Sequence, residues 1–240
     1  GQNSGVVNKN ITVNYYYKKK ATVTVNYYKE GTTEKLADSD TLNKYYGDKY
    51  DVISYKDNKN ISTDYKYVSY TSTPENALNG TVSQDIITIN YYYTLKNATI
   101  NIKYLDELTG QSILNEENIQ TKYGVEYGSL NLDSYKKEIT GYDYSKTETT
   151  PKDISGKVNQ DTTTIIHYYK KKSNITIKYY DIETKKEIAK ENVDSKVHYG
   201  DIYNVESKKI ETEKEEIFKN YNFEKYESNS KQSDDLKQIK

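Results

Sequence analysis

The stretch TTTIIHYYKKKSNITIKYYD, Thr162 to Asp181, places an apolar-alternating run, a knot of lysines and a second alternating run in succession. The same arrangement recurs as ITVNYYYKKKATVTVNYY over Ile11 to Tyr28 and as IITINYYYTLKNATINIKYLD over Ile86 to Asp106. Each is a seam where one copy of a repeated unit ends and the next begins. Subtraction gives the period. Tyr46-Gly47 returns at Tyr123-Gly124, 77 residues on, and at Tyr199-Gly200, a further 76. Pro74 returns as Pro151, and these are the only two prolines. Gly80 to Asp85 returns as Gly156 to Asp161. A unit of about 76 residues is long enough to be a small domain with its own core.

The copies divide the chain into residues 1–20, the closing strand of a preceding repeat; 21–96 and 97–172, two whole repeats; and 173–240, a repeat without its closing strand. The chain therefore reads as an internal segment of a longer protein, and the absence of methionine agrees.

Period-2 alternation of β-branched and aromatic residues marks half-buried strands. Val13, Tyr15 and Tyr17 form one such face, Val23, Val25 and Tyr27 a second, and Ile87, Ile89, Tyr91 and Tyr93 a third. A weaker strand is expected near Leu36, a short helix or loop over Asp51 to Asp64, a strand resuming at Tyr65, and a loop from Pro74 to Gly80. The second repeat opens with Ile100, Ile102 and Tyr104 inward and closes with Ile165, His167 and Tyr169; the third opens with Ile175, Ile177 and Tyr179. If the first and last strands of a unit run parallel, the units add end to end as a rod. Each would lengthen it by about 30–50 Å.

Composition narrows the function. The balance of 35 basic and 36 acidic residues, with every basic residue a lysine, does not fit a nucleic-acid binder. No cysteine is present, so there is neither a disulfide nor a thiolate nucleophile. No apolar run is long enough to span a bilayer. Apolar residues make up only 34%, and 29 tyrosines supply much of that share, so the cores must lean on tyrosine, with rings covered and hydroxyls near water.

The segments ATINIKYLDELTGQSI, KYGVEYG and GYDYSKTETTPKDISGKVNQDTTTIIHYYKK, in that order, resemble the mucin-binding protein (MucBP) repeat of Gram-positive surface proteins. The likeness is strongest over Asn97 to Lys172, good over Ala21 to Lys96 and partial over Ser173 to Lys240. The first repeat lacks the D-x-x-T-G turn and has Asp64 where the second has Gly141. The resemblance implies an α+β, mainly β fold of tandem ubiquitin-like β-grasp modules. It also implies display on the cell surface or wall and, for some members, adhesion to host mucin or other glycans. A passive stalk displaying a distal domain is the alternative.

Catalysis is not expected, nor any metal or cofactor. His167 falls where the first repeat has Tyr91, and His198 where the others have Tyr45 and Lys122, so both histidines are read as structural or surface groups. The acidic pairs Glu116-Glu117 and Asp234-Asp235 read as solvated surface, and the N-x-S/T triplets as composition. The functional signal lies in the tyrosine doublets. With Tyr27, Tyr91 and Tyr179 inward, Tyr28, Tyr92, Tyr168 and Tyr180 face the other way, a stripe on which sugar C–H faces could pack. The same residues would serve equally as cross-strand pairs that stabilise the sheet.

Unpaired strand edges promote association. As a segment, the chain is expected to exchange closing strands between molecules and form concentration-dependent oligomers; monomeric sedimentation over a wide concentration range would reject this.

Overall fold

The alternation of the first repeat is realised strand by strand in a computed structural model of the protein, which describes residues 3–213 and 215–229. The strands are β1 (Lys20–Lys29), β2 (Lys35–Tyr45), β3 (Lys49–Asp51), β4 (Tyr65–Thr73), β5 (Asn79–Thr81) and β6 (Ile86–Leu95), with a 3-10 turn at Ile53–Asp57. The sheet order is β2-β1-β6-β4, while β3 pairs β5 apart from it. The central pair, β1 and β6, is parallel and in register from Thr22↔Ile86 to Lys29↔Tyr93. The outer strands are antiparallel to it.

One face of this sheet holds the core. Ala21, Val23, Val25 and Tyr27 of β1 and Ile87, Ile89, Tyr91 and Tyr93 of β6 are buried, and Tyr50, Val52, Ala77 and Val82 of the crossover cover them. The Tyr27 and Tyr91 rings stack, 6.3 Å between centroids. Their hydroxyls are not left near water. Tyr91 donates to the Val52 carbonyl at 2.6 Å, Tyr93 to the Lys56 carbonyl at 2.8 Å, and Tyr27 to Asp40. A buried tyrosine needs a partner for its O–H, and here the partner is the irregular segment itself. Asp51 to Asp64, without periodicity of its own, is held against the sheet by tyrosines of the closing strand. Burial pushes the Tyr91 hydroxyl up to about 12, so it remains a donor.

The second copy contributes β7 (Asn97–Asp106), β8 (Glu117–Lys122), β9 (Tyr142–Thr150) and the first half of β10 (Thr162–Tyr180). Here β8 neighbours β7, β7 neighbours β10 and β9 pairs β10, the same order as in the first copy. The third contributes the second half of β10, then β11 (Glu187–His198), α1 (Glu206–Glu213) and a 3-10 turn whose Phe218 meets Tyr179, ring centroids 5.2 Å apart. Thus Lys170, Lys171 and Lys172 lie inside one unbroken strand that serves two copies. The run from Val13 to Tyr17 differs from expectation. It finds no partner strand among the described residues and stays exposed, because alternation without a neighbour to receive its hydrogen bonds does not make a strand.

Two compact units emerge from the contacts: Gly1–Thr99 with Gln120–Ser129 and Ile154–Thr162, and Ile100–Ile119 with Leu130–Asp153 and Thr163–Lys240. This grouping cuts across the copies because the seams are tied on both sides. Lys96 N–H donates to the Asp64 carbonyl of the first copy at 2.8 Å, and its own carbonyl accepts from Tyr123 N–H of the second at 3.0 Å. Its ammonium sits over the Tyr123 ring, whose hydroxyl donates to Asp161 at 2.9 Å. Lys19, Tyr46 and Asp85 make the same constellation one period earlier. Lys171 over Tyr199 repeats its first half. At the last seam Lys172 N–H donates to the Gly141 carbonyl, and the Lys171 carbonyl accepts from Tyr199 N–H.

Removing the Tyr91 hydroxyl takes one of two donors from the Val52 carbonyl, which also accepts from Tyr55 N–H at 3.0 Å. Tyr91→Phe is therefore expected to cost about 0.5–1.5 kcal/mol, read as a lower urea midpoint for the first unit; no change would show that the hydroxyl does not hold the crossover.

Candidate functional site: the tyrosine face

The sheet face opposite the core carries the second member of each doublet. Tyr28 and Tyr92 sit at paired positions on β1 and β6, both half-buried, and their rings stack at 6.2 Å with 30° between planes. Around them runs a hydrogen-bond ladder of hydroxyls and amides across all four strands, with the Lys35 ammonium donating to its Ser39 end at 2.9 Å. Ser39 donates to Asn26 at 2.6 Å, Asn26 to Asn90 at 2.9 Å and Asn90 to Thr71 at 3.3 Å; Thr71 bonds the Tyr92 hydroxyl at 3.2 Å. Most polar neighbours of the stripe are therefore engaged with one another. On the β4 side a bulge between Tyr67 and Ser69 sets the small Ser69 opposite Tyr92. A shallow depression opens there, lined by Glu30, Gly31, Thr32, Thr33, Ser69 and Tyr92.

The other two residues of the expected stripe lie in different surroundings. Tyr168, half-buried on β10, is paired with Lys146 of β9, whose ammonium stands over its ring at 5.0 Å from the centroid. Glu148, 2.7 Å away, and the more distant Glu107 flank that ammonium; the Glu148 hydrogen bond raises the lysine and lowers its own carboxyl. Tyr180 is 52% exposed near the end of β10, and its hydroxyl reaches Glu187 at 3.5 Å. Tyr28 and Tyr92 are thus brought together, whereas Tyr168 and Tyr180 stand twelve residues apart on one strand, about 40 Å along it. The expected stripe did not include Ser69 or the turn at Glu30–Thr33. Subtraction would have exposed the contrast, because Ser69 and Lys146 occupy one repeat position, 77 residues apart.

The remaining polar groups are structural. Asp106 Oδ1 accepts the Leu108 and Thr109 N–H groups and closes the D-x-x-T-G turn; Asp181 does the same for Glu183 and Thr184. Glu117 is not merely solvated, since it accepts the Tyr104 hydroxyl at 2.9 Å and pairs with Lys137. The Asp234-Asp235 pair lies outside the described residues. His198 bridges Asp143 at 2.9 Å and Asp201 at 3.3 Å. His167 is buried against the Tyr104 ring; its Nδ1 meets Thr147 Oγ1 at 2.7 Å and its Nε2 has no partner. Among the described residues no group of three or more His, Asp or Glu is placed to hold a metal ion.

A family model described as the MucBP domain matches over residues 22–94, 99–170 and 174–239. Solved structures with some likeness include the crystal structure of Mub-RV, 14% identical with a TM-score of 0.26, covering 62% of this chain and 98% of that one. Another is the type 2 repeat of the mucus binding protein MUB from Lactobacillus reuteri, 14% identical with a TM-score of 0.23, covering 61% and 98%. No curated protein matches the chain.

Burial, reinforced by the Lys136 charge and opposed by Asp133, lowers the His167 value below that of a free imidazole. A base depressed in the folded state contributes stability that is present above its unfolded value, about 6.5, and is lost as pH falls through the folded value. His167→Tyr, which restores the residue of the first copy, is expected to flatten the fall in urea midpoint of the second unit between pH 7.5 and 5.5. Equal losses in variant and parent would refute the assignment.

Proposed function

The chain belongs to the MucBP domain family, and on that premise we propose that it is the repeat region of a bacterial cell-surface adhesin that binds mucin or related host glycans. Each copy, bounded at 21–96, 97–172 and 173–240, is read as a β-grasp module. The β2-β1-β6-β4 order, with its two central strands parallel, supports that reading. Display outside a Gram-positive cell, at the wall, is part of the same proposal. Among the described residues no helix is long and apolar enough to cross a membrane. The partners are host glycans and the neighbouring repeats of the chain.

The observation that carries the binding reading is the Tyr28–Tyr92 pair, two aromatic rings set side by side on an outer sheet face among hydroxyls and amides. Sugar C–H groups pack on the electron-rich faces of such rings. One pair offers weak affinity. Repetition along a longer array can multiply a weak contact by about 10²–10⁴ where geometry permits. The stacking of the two rings on each other also favours a second reading, in which the pair only stabilises the sheet and the repeats form a passive stalk.

Retention of the 240-residue chain on a mucin-coated surface separates the two. The double variant Tyr28→Ser/Tyr92→Ser is expected to lose about ten-fold or more in retention while keeping its melting temperature within a few degrees. No retention of the parent chain would favour the stalk.

A further inference from the structure

The tyrosine stripe is not equivalent from copy to copy, and the difference turns on one repeat position. In the first copy that position is Ser69, opposite Tyr92. In the second it is Lys146, opposite Tyr168. Serine is too short to cover the ring beside it, and the depression between Tyr92 and the Glu30–Thr33 turn results. Lysine reaches over the ring, and its ammonium occupies the face that a sugar would need. The turn differs in the same sense. Glu107, equivalent to Glu30, is engaged by Ser145 at 2.7 Å and lies near Lys146, whereas no ion pair engages Glu30 among the described contacts.

The surroundings also differ in charge. The Ser39–Asn26 bond of the first copy is replaced in the second by the Glu116–Lys103 ion pair at 3.6 Å. Thr71, which bonds Tyr92, is replaced by Glu148. The tyrosine face of the first copy is therefore mostly hydroxyls and amides, with the Lys35 ammonium bonded to Ser39 at 2.9 Å opposite Tyr28 and the Glu30 carboxylate at the rim beside Tyr92. That of the second is a network of paired charges.

We propose that, of the two whole copies, the first holds the carbohydrate contact, in the cleft between Tyr92 and the Glu30–Thr33 turn, and that it takes an uncharged pyranose. This rests on the glycan-binding reading above. The sugar's C–H face packs on Tyr92, with Tyr28 backing that ring from behind. Its hydroxyls meet Ser69, Thr33 and the Glu30 carboxylate, an acceptor pair suited to vicinal hydroxyls. The same carboxylate repels sialylated or sulfated sugars, since like charges brought together at a rim cost binding. Tyr168 is a sheet-stabilising residue sealed by Lys146.

The test is a chemical-shift titration of the whole 240-residue chain with the methyl glycosides of galactose and N-acetylglucosamine, and with sialyllactose as an acidic counterpart. The expected result is saturable movement of the Glu30–Thr33 and Ser69 amides with the neutral glycosides and little with sialyllactose. Ser69→Lys, which copies the second repeat at an exposed position, should weaken that binding about ten-fold or more, as should Tyr92→Ser, while Tyr168→Ser leaves it unchanged. Neutral-sugar binding that survives Ser69→Lys, binding that vanishes with Tyr168→Ser, or a preference for sialyllactose would overturn this assignment and leave glycan binding standing. Absence of binding by the parent chain to either class at millimolar sugar would overturn both.

Discussion

The parallel pairing of β1 with β6 is the constraint on which the first copy depends. Parallel neighbours cannot be joined by a tight turn, so the chain between them must travel back across the sheet. Everything else in the copy is carried on that return path: β2, the β3–β5 pair, the 3-10 turn and β4. The path lays Tyr50, Val52, Ala77 and Val82 on the core, with Leu42, Tyr55 and Ile61 packed beside them. It is also gripped from the sheet, by the hydroxyls of Tyr91 and Tyr93 on the Val52 and Lys56 carbonyls, and tied to itself by the Tyr50 hydroxyl on the Ala77 carbonyl. This explains how a chain of mean hydropathy −1.02 builds a core. Tyrosine buries a large ring and at the same time supplies the donor that an irregular buried backbone requires.

The second copy keeps the strand order and changes the chemistry laid on it. Where Tyr91 reaches a carbonyl, His167 is too short and leaves a ring nitrogen unpaired. Where Ser39 bonds Asn26 on the outer face, Glu116 faces Lys103. The inner pattern of β-branched and aromatic residues decides the backbone, and it tolerates large changes outside, because side chains on the two faces of a strand never share the same space.

The strands and their inward faces were legible in the sequence. Val23, Val25, Tyr27, Ile87, Ile89 and Tyr91 are buried as alternation requires. What was not legible depends on contacts between distant residues. The Asp51–Asp64 segment carries no periodic signal, since its order comes from tyrosines some forty residues away. Val13 to Tyr17 has a strand's alternation and lacks a partner strand among the described residues. The stripe was half legible. Parity alone points Tyr28, Tyr92 and Tyr168 outward, but whether a ring is open or covered depends on the opposing strand, through Ser69 in one copy and Lys146 in the other.

In β10 the odd-numbered residues face inward on both sides of the lysine knot: Thr163 to Tyr169 in one copy and Ser173 to Tyr179 in the next. Within an unbroken strand, a shift of one residue turns every later side chain to the other face. Deletion of a single codon among Lys170, Lys171 and Lys172 would thus turn the third copy inside out, whereas exchange of those lysines for other polar residues would leave the parity intact. In this linker the number of residues decides which way the next copy faces, while the lysine identities serve local contacts such as Lys171 over Tyr199.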